Sequence, residues 1–241
     1  MNSKNFLFNK HTELIGQHAL FSPSQSAWLR YDEEKIIDKI RSQYRAPIGS
    51  EIHEYAAQEI MMSQKITMPR KKNSIKAIAQ EIESYIYTKY KSFSNASNSL
   101  ECSEYGMTLI ENMSYLPREV FEAVKYYIND AIGYKMVVEQ PLVYSKNIYG
   151  TADAIIFKDN LLRIHDLKTG SNEPKLEQLL TYAALFCLEY DIKPSDIEFE
   201  LRLYHCDGII KDNPTVEDLL PIIDSIVTIE KIAYGVEKEN K

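Results

Sequence analysis

Asp153, Asp166 and Lys168 are the residues of this chain best placed to do chemistry. They lie in two apolar runs, residues 150–157 and 161–168, separated by the turn Lys158-Asp159-Asn160. Each run reads as a strand, and the short turn makes the two antiparallel neighbours. Strand side chains alternate between faces, so Asp166 and Lys168 point the same way and Leu167 points the other. Asp153 can then sit across from Asp166 at one end of the ladder. Two carboxylates held together are costly unless one is neutralised or a cation binds between them. A hard divalent metal resolves the conflict, and phosphodiester hydrolysis is the chemistry such a site suits best. The plainer explanations are a strand-end aspartate and a surface ion pair worth ~1 kcal/mol or less. Against the surface pair, Leu161, Leu162, Ile164 and Leu167 make the second run too apolar for a sheet edge.

The surrounding elements follow from period and punctuation. Ser22-Pro23-Ser24-Gln25 reads as a helix start, with a capping serine, proline at the first helical position and a glutamine closing a capping box. Ala27, Trp28, Ile36, Ile37 and Ile40 continue an apolar stripe to about Tyr44. Pro47 ends it, and a second helix over residues 49–62 carries His53 beside Tyr55, Ala56 and Ile60. Ser74 can cap a third, with Ile75, Ile78, Ile82 and Ile86 on one face. The polar stretch 92–99 reads as a mobile loop and marks a boundary. On that reading residues 1–100 are a helical region and residues 101–241 the core, together one compact unit. A helix over 117–133, strands over 135–144, 149–157 and 161–168, a helix over 174–190, a strand over 197–205 and a helix over 216–234 complete the order. Glu139 could add a carboxylate from the first strand, but Pro141 marks that strand as an edge, so Glu139 is left outside the immediate site. His165 points away from Asp166, into the core.

A chain of 241 residues can bury one substantial core without needing two full domains. The net charge of −7 does not advertise a nucleic-acid binder, although a nuclease surface can be basic along its groove alone. The local candidates are Arg70, Lys71 and Lys72, and Lys89 with Lys91 among Tyr87, Tyr90 and Phe93. The plainer reading of both is a solvated loop and a helix end. Cys102, Cys187 and Cys206 are scattered and odd in number, which argues against a disulfide framework and for a reducing, cytoplasmic setting. Their spacing offers no structural zinc or iron–sulfur site. No apolar run is long enough to span a bilayer, and the N-terminal residues lack a signal-peptide stretch.

Gly150-x-x-Asp153, Asp166-x-Lys168 and Gln178-x-x-x-Tyr182, with His53 upstream on a helix, resemble the PD-(D/E)XK nuclease superfamily. Within it the similarity is to the RecB-like branch of phage-borne exonucleases and CRISPR-associated nucleases. It covers roughly residues 22–205, and the lead-in His18-Ala19-Leu20-Phe21-Ser22-Pro23-Ser24 is similar to the opening of small phage members. The resemblance implies an α+β, restriction-endonuclease-like core: a central mixed four-stranded sheet flanked by helices, with a helical N-terminal third. It makes Asp153, Asp166, His53 and the Leu167 carbonyl ligands of Mg²⁺ or Mn²⁺. Lys168 becomes the catalytic lysine, and Gln178 and Tyr182 steady the site and the DNA end. Imidazole beside hard oxygen donors shifts preference toward Mn²⁺. The implied activity is metal-dependent hydrolysis of linear single- or double-stranded DNA, exonucleolytic or end-processing, in phage recombination or repair inside a bacterial host. A recombination or annealing protein is the implied partner. The alternative is a catalytically quiet DNA- or partner-binding phage protein that keeps the fold. The four cluster cysteines of the CRISPR-associated relatives are missing, so cluster-dependent functions do not carry over.

Overall fold

The computed structural model describes residues 6–14, 16–17, 19, 21–33, 36, 50–66, 75–97, 100–113, 116, 118–169 and 175–239. Among them are six α-helices: α1 (Ser50–Ile66), α2 (Ile75–Ser97), α3 (Glu101–Met113), α4 (Arg118–Tyr134), α5 (Glu177–Glu189) and α6 (Val216–Glu239). The strands are β1 (Val137–Val143), β2 (Tyr149–Lys158), β3 (Leu161–Leu167), β4 (Glu198–His205) and β5 (Gly208–Asp212), in spatial order β1-β2-β3-β4-β5. The first three form an antiparallel meander, β4 runs parallel to β3, and β5 returns antiparallel to β4. A parallel neighbour requires a crossover, and α5 supplies it. The mixed α+β sheet flanked by helices matches the sequence reading, with one strand more. β5 escapes a period-2 search because its first four residues are all exposed, Ile209 and Ile210 included.

Two apolar layers enclose the sheet. One joins Leu142, Ile155, Leu162 and Ile164 to Leu179, Ala183 and Phe186 of α5, with Phe21 and Trp28 from the lead-in. The other joins Ala154, Leu167 and Tyr204 to Val124 and Tyr127 of α4, with Ile52, Ala56 and Ile60 of α1 and Ile78, Ile82 and Ile86 of α2. Both layers therefore mix residues from either side of position 100. The stretch read as a boundary loop is helical through Ser97, where α2 ends. Ser97 Oγ donates back to the Phe93 carbonyl, so a serine-rich segment still satisfies its polar groups within a helix. Helix α3 lies where no helix was expected.

The first expected helix is a 3-10 helix, Pro23–Arg30, ending at an extended Tyr31. Proline does open it, but Ser22 caps nothing; its hydroxyl meets that of Ser24. Instead the fully buried Trp28 donates its indole N–H to the Ser22 carbonyl at 2.9 Å, which ties the segment into a tight coil. Of the rest of that predicted helix, Ile36 is buried, whereas Ile37, Ile40 and Tyr44 lie outside the described residues.

Gly150 is small because three elements meet on it. A Cβ there would lie 2.4 Å from Pro23 Cδ and 3.1 Å from Tyr182 Cε1, so the glycine lets the lead-in and α5 both press on β2. Proline ring atoms cannot swing aside as a long side chain can. Gly150→Ala should therefore destabilise by about 1–3 kcal/mol, as overpacking does, read as a lower thermal midpoint. An unchanged midpoint would mean that the lead-in is not seated on β2.

Candidate active site

Register brings the two aspartates together. The last β2–β3 pair is Ala154 with His165, so Asp153 and Asp166 face each other on the next rung. In β1 the pairs Val138 with Ala154 and Gln140 with Ala152 put Glu139 on the rung of Asp153 from the other side. Three carboxyl groups thus share one end of the sheet.

Each aspartate has its own counter-charge. Asp153 Oδ2 accepts the Leu167 N–H at 2.8 Å and lies 3.2 Å from His53 Nδ1. An extended residue directs its N–H and carbonyl to the same side, so the Leu167 carbonyl also points toward Asp153. Asp166, 1% exposed, meets the Lys168 ammonium at 3.1 Å from Oδ1 and 2.8 Å from Oδ2. That ammonium also donates to Gln178 Oε1, whose amide nitrogen is 3.4 Å from Tyr182 OH. Tyr182 OH in turn donates to the Thr151 carbonyl, which ties α5 to β2. The Lys168 N–H donates to the Tyr204 carbonyl at 2.8 Å, extending the β3–β4 pairing past the last strand residue. His165 is fully buried, its Nδ1 3.2 Å from Tyr204 OH, as its place on the opposite face requires.

His53 is delivered by α1, and α1 is clamped to α2. Lys89 Nζ lies 2.7 Å from Glu51 and 2.6 Å from Glu54, two positions before and one after His53 in the helix. Tyr90 OH donates to Glu51 and Tyr85 OH to Glu54. The alternation of cations and aromatics read as a possible DNA strip is, at Lys89, an interhelical clamp: a lysine held by two carboxylates is committed to them. Lys91 is exposed, with its ammonium 5.3 Å from the Tyr87 ring centre. Arg70, Lys71 and Lys72 lie outside the described residues.

Burial makes the charge balance acute. Burial alone would push His53 down, but Asp153 beside it, with Asp166 and Glu139 nearby, holds its pKa up at about 9. Burial would raise Asp153, but His53, Lys168 and the Leu167 N–H keep it below the ordinary carboxylate value. Asp166 goes the other way, raised by burial and then by Asp153 despite Lys168. Glu139 is raised as well, by desolvation in the cleft and by Asp153. Tyr127 of α4 and Tyr182 of α5, both buried, are pushed up by burial and by the same carboxylates, so both phenols stay neutral.

Two hard carboxylates, an imidazole and a backbone carbonyl are donors that suit Mg²⁺ or Mn²⁺. Asp166 Oδ2 is buried without a hydrogen bond, its only close partner being the ammonium at 2.8 Å. That chemistry fits a cation, although the donor atoms of His53, Asp153 and Asp166 do not all come within 4.8 Å of one another. Among the described residues one set of three does, His205, Cys206 and Asp207 in the β4–β5 turn. These are consecutive residues, with a soft thiol among them, and the His205 ring already accepts the Asp207 N–H at 3.3 Å.

Glu139 joins this end of the sheet although Pro141 marks its strand as an edge. The signal for it was the turn at Ser145-Lys146-Asn147: its centre fixes the β1–β2 register and puts residue 139 opposite residue 153.

The fold and site define an α+β protein with an acidic cluster, one histidine and one lysine at the end of a mixed sheet. A family model described as a protein of unknown function (DUF2800) matches residues 18–192, and the chain belongs to that family. The match takes in every residue of the site and stops before β4, β5 and α6. No curated protein and no solved structure matches. No helix among the described residues is long and apolar enough to cross a membrane.

The His53–Asp153 pair has a pH signature in metal-free protein. A histidine raised from 6.5 to about 9 adds stability that is complete below pH 6.5 and lost as pH climbs through 9. NMR titration should find the His53 imidazole changing charge near pH 9, and Asp153→Asn should bring that midpoint down. A midpoint that stays put in the variant would break the pairing.

Proposed function

We propose that this protein is a divalent-metal-dependent nuclease that hydrolyses phosphodiester bonds in DNA. The observation that carries the reading is the shared rung of Asp153 and Asp166, with His53 on one aspartate and Lys168 on the other. His53, Asp153, Asp166 and the Leu167 carbonyl would hold Mg²⁺ or Mn²⁺, which supplies a coordinated water of lowered pKa and neutralises phosphate charge. Lys168, 30% exposed, can turn its ammonium to the non-bridging oxygens as charge builds on the phosphorane. Gln178 fixes that ammonium from α5, and Tyr182 anchors Gln178 through the Thr151 carbonyl. The resemblance to phage-borne exonucleases adds the biological setting: end-processing of linear DNA in recombination or repair, alongside an annealing protein.

One observation favours the quieter reading, a DNA- or partner-binding protein that retains the fold. The two ion pairs already balance Asp153 and Asp166 within the chain.

Labelled linear single- and double-stranded DNA, and RNA, incubated with Mn²⁺ or Mg²⁺ separates the two. Asp166→Ala should lower cleavage about a thousandfold or more, since it removes several kcal/mol of transition-state stabilisation. It should leave the fold intact, because it relieves repulsion with Asp153. Retention of DNA in a gel shift without metal-dependent cleavage would instead establish the quiet reading. Lys168→Ala should keep metal binding in calorimetry while turnover falls; a loss of metal affinity as large as that of Asp166→Ala would refute the lysine's role.

A further inference from the structure

Glu139 combines three features that a bystander on an edge strand would not need. It stands on the rung of Asp153, between the pairs Val138–Ala154 and Gln140–Ala152. Its φ is +50°, in the left-handed region that non-glycine residues rarely enter, and the β1–β2 pairing lapses at that one position. The residue keeps contact with solvent while its carboxyl group is partly desolvated, and it makes no hydrogen bond or ion pair among the described residues. The neighbours in β1 behave otherwise. Gln140 is buried and bonded to the Asn9 and Pro141 carbonyls.

A like charge opposite a half-buried aspartate and a strained backbone are both unfavourable, and no hydrogen bond offsets either. Departures of this kind in a strand re-aim a side chain and cluster beside functional sites. His53 acts on Glu139 at a distance, but it and Lys168 are each directly paired with an aspartate, so the third carboxylate has no cation of its own in contact. A hard cation is the counter-charge that would.

We propose that Glu139 is a further oxygen ligand, holding a divalent cation jointly with Asp153 from the opposite strand. The assignment rests on the nuclease reading, and it explains why an edge strand carries an acidic residue in a conformation that glycine would adopt more readily. The lower charge of Glu139→Gln keeps the shape and removes the ligand's anion. Glu139→Gly removes the ligand and relaxes the backbone.

Mn²⁺ titration of the full chain by calorimetry, with thermal melts with and without Mn²⁺, tests it. Both variants should bind Mn²⁺ at least about tenfold more weakly than the natural chain, since even indirect supports of a ligand have effects of that size. Metal-free Glu139→Gly should melt at or above the natural midpoint, while its Mn²⁺-induced rise shrinks. A purely structural glutamate would move the metal-free midpoint and leave the Mn²⁺-induced rise unchanged, which would overturn the assignment. Natural Mn²⁺ affinity in both variants, with affinity lost in Asp153→Asn, would overturn the role of Glu139 and leave the nuclease reading standing. No Mn²⁺ binding by the natural chain would overturn both.

Discussion

Repulsion between Asp153 and Asp166 is the constraint around which this end of the molecule is arranged. Their positions are dictated by the β2–β3 register, and Asp166 is sealed from water by α5 and the neighbouring strands. Two unit charges ~5 Å apart at an effective dielectric of ~20 repel by about 3 kcal/mol, a sizeable share of a domain's net stability. The surroundings of the two differ, tipping Asp153 toward ionisation and Asp166 toward neutrality. The chain therefore brings a cation from each side, His53 from α1 and Lys168 from the end of β3.

Both cations need support of their own. His53 approaches from a helix with no sequence neighbours in the sheet, so its position depends on how α1 is held. Lys89, Tyr85 and Tyr90 of α2 hold Glu51 and Glu54 on either side of it, and the apolar faces of both helices pack with α4. Lys168 is held by Gln178, and Gln178 through Tyr182 by the β2 backbone. Tyr182 also leans on Gly150, as does Pro23. The aspartate rung is thus gripped through α5 and the lead-in on one layer, and through α1, α2 and α4 on the other.

The meander and its aspartates were legible because their information is local. Alternation fixed the faces, and the turn at Asp159-Asn160, both residues at positive φ, fixed the register. His53 was reachable only by resemblance, since α1 meets the sheet through tertiary packing that no local pattern announces. Lys89 misled because its partners, Glu51 and Glu54, are more than thirty residues away and its local pattern of aromatics and cations looks alike in a clamp and in a DNA groove. The 3-10 coil at residues 23–30 follows from burial of Trp28, a tertiary event that capping rules do not contain. Residues 92–97 show the converse: their composition is that of a loop, yet Ser94 is buried on the continuing face of α2.

The charge count at the cleft bears on which reading of the fold is physically economical. Glu139, Asp153 and Asp166 stand against His53 and Lys168, and the whole chain carries −7. A phosphodiester entering such a place is repelled by the very residues that define it. A protein whose task was only to hold DNA would gain nothing from a buried and a half-buried aspartate on one rung, since neither ionised carboxylate donates a hydrogen bond to phosphate and each weakens the approach. The arrangement becomes favourable when positive charge enters from outside the chain and serves carboxylates and phosphate together. That is why cation dependence, more than DNA affinity, is the property that discriminates between a working nuclease and a retained scaffold.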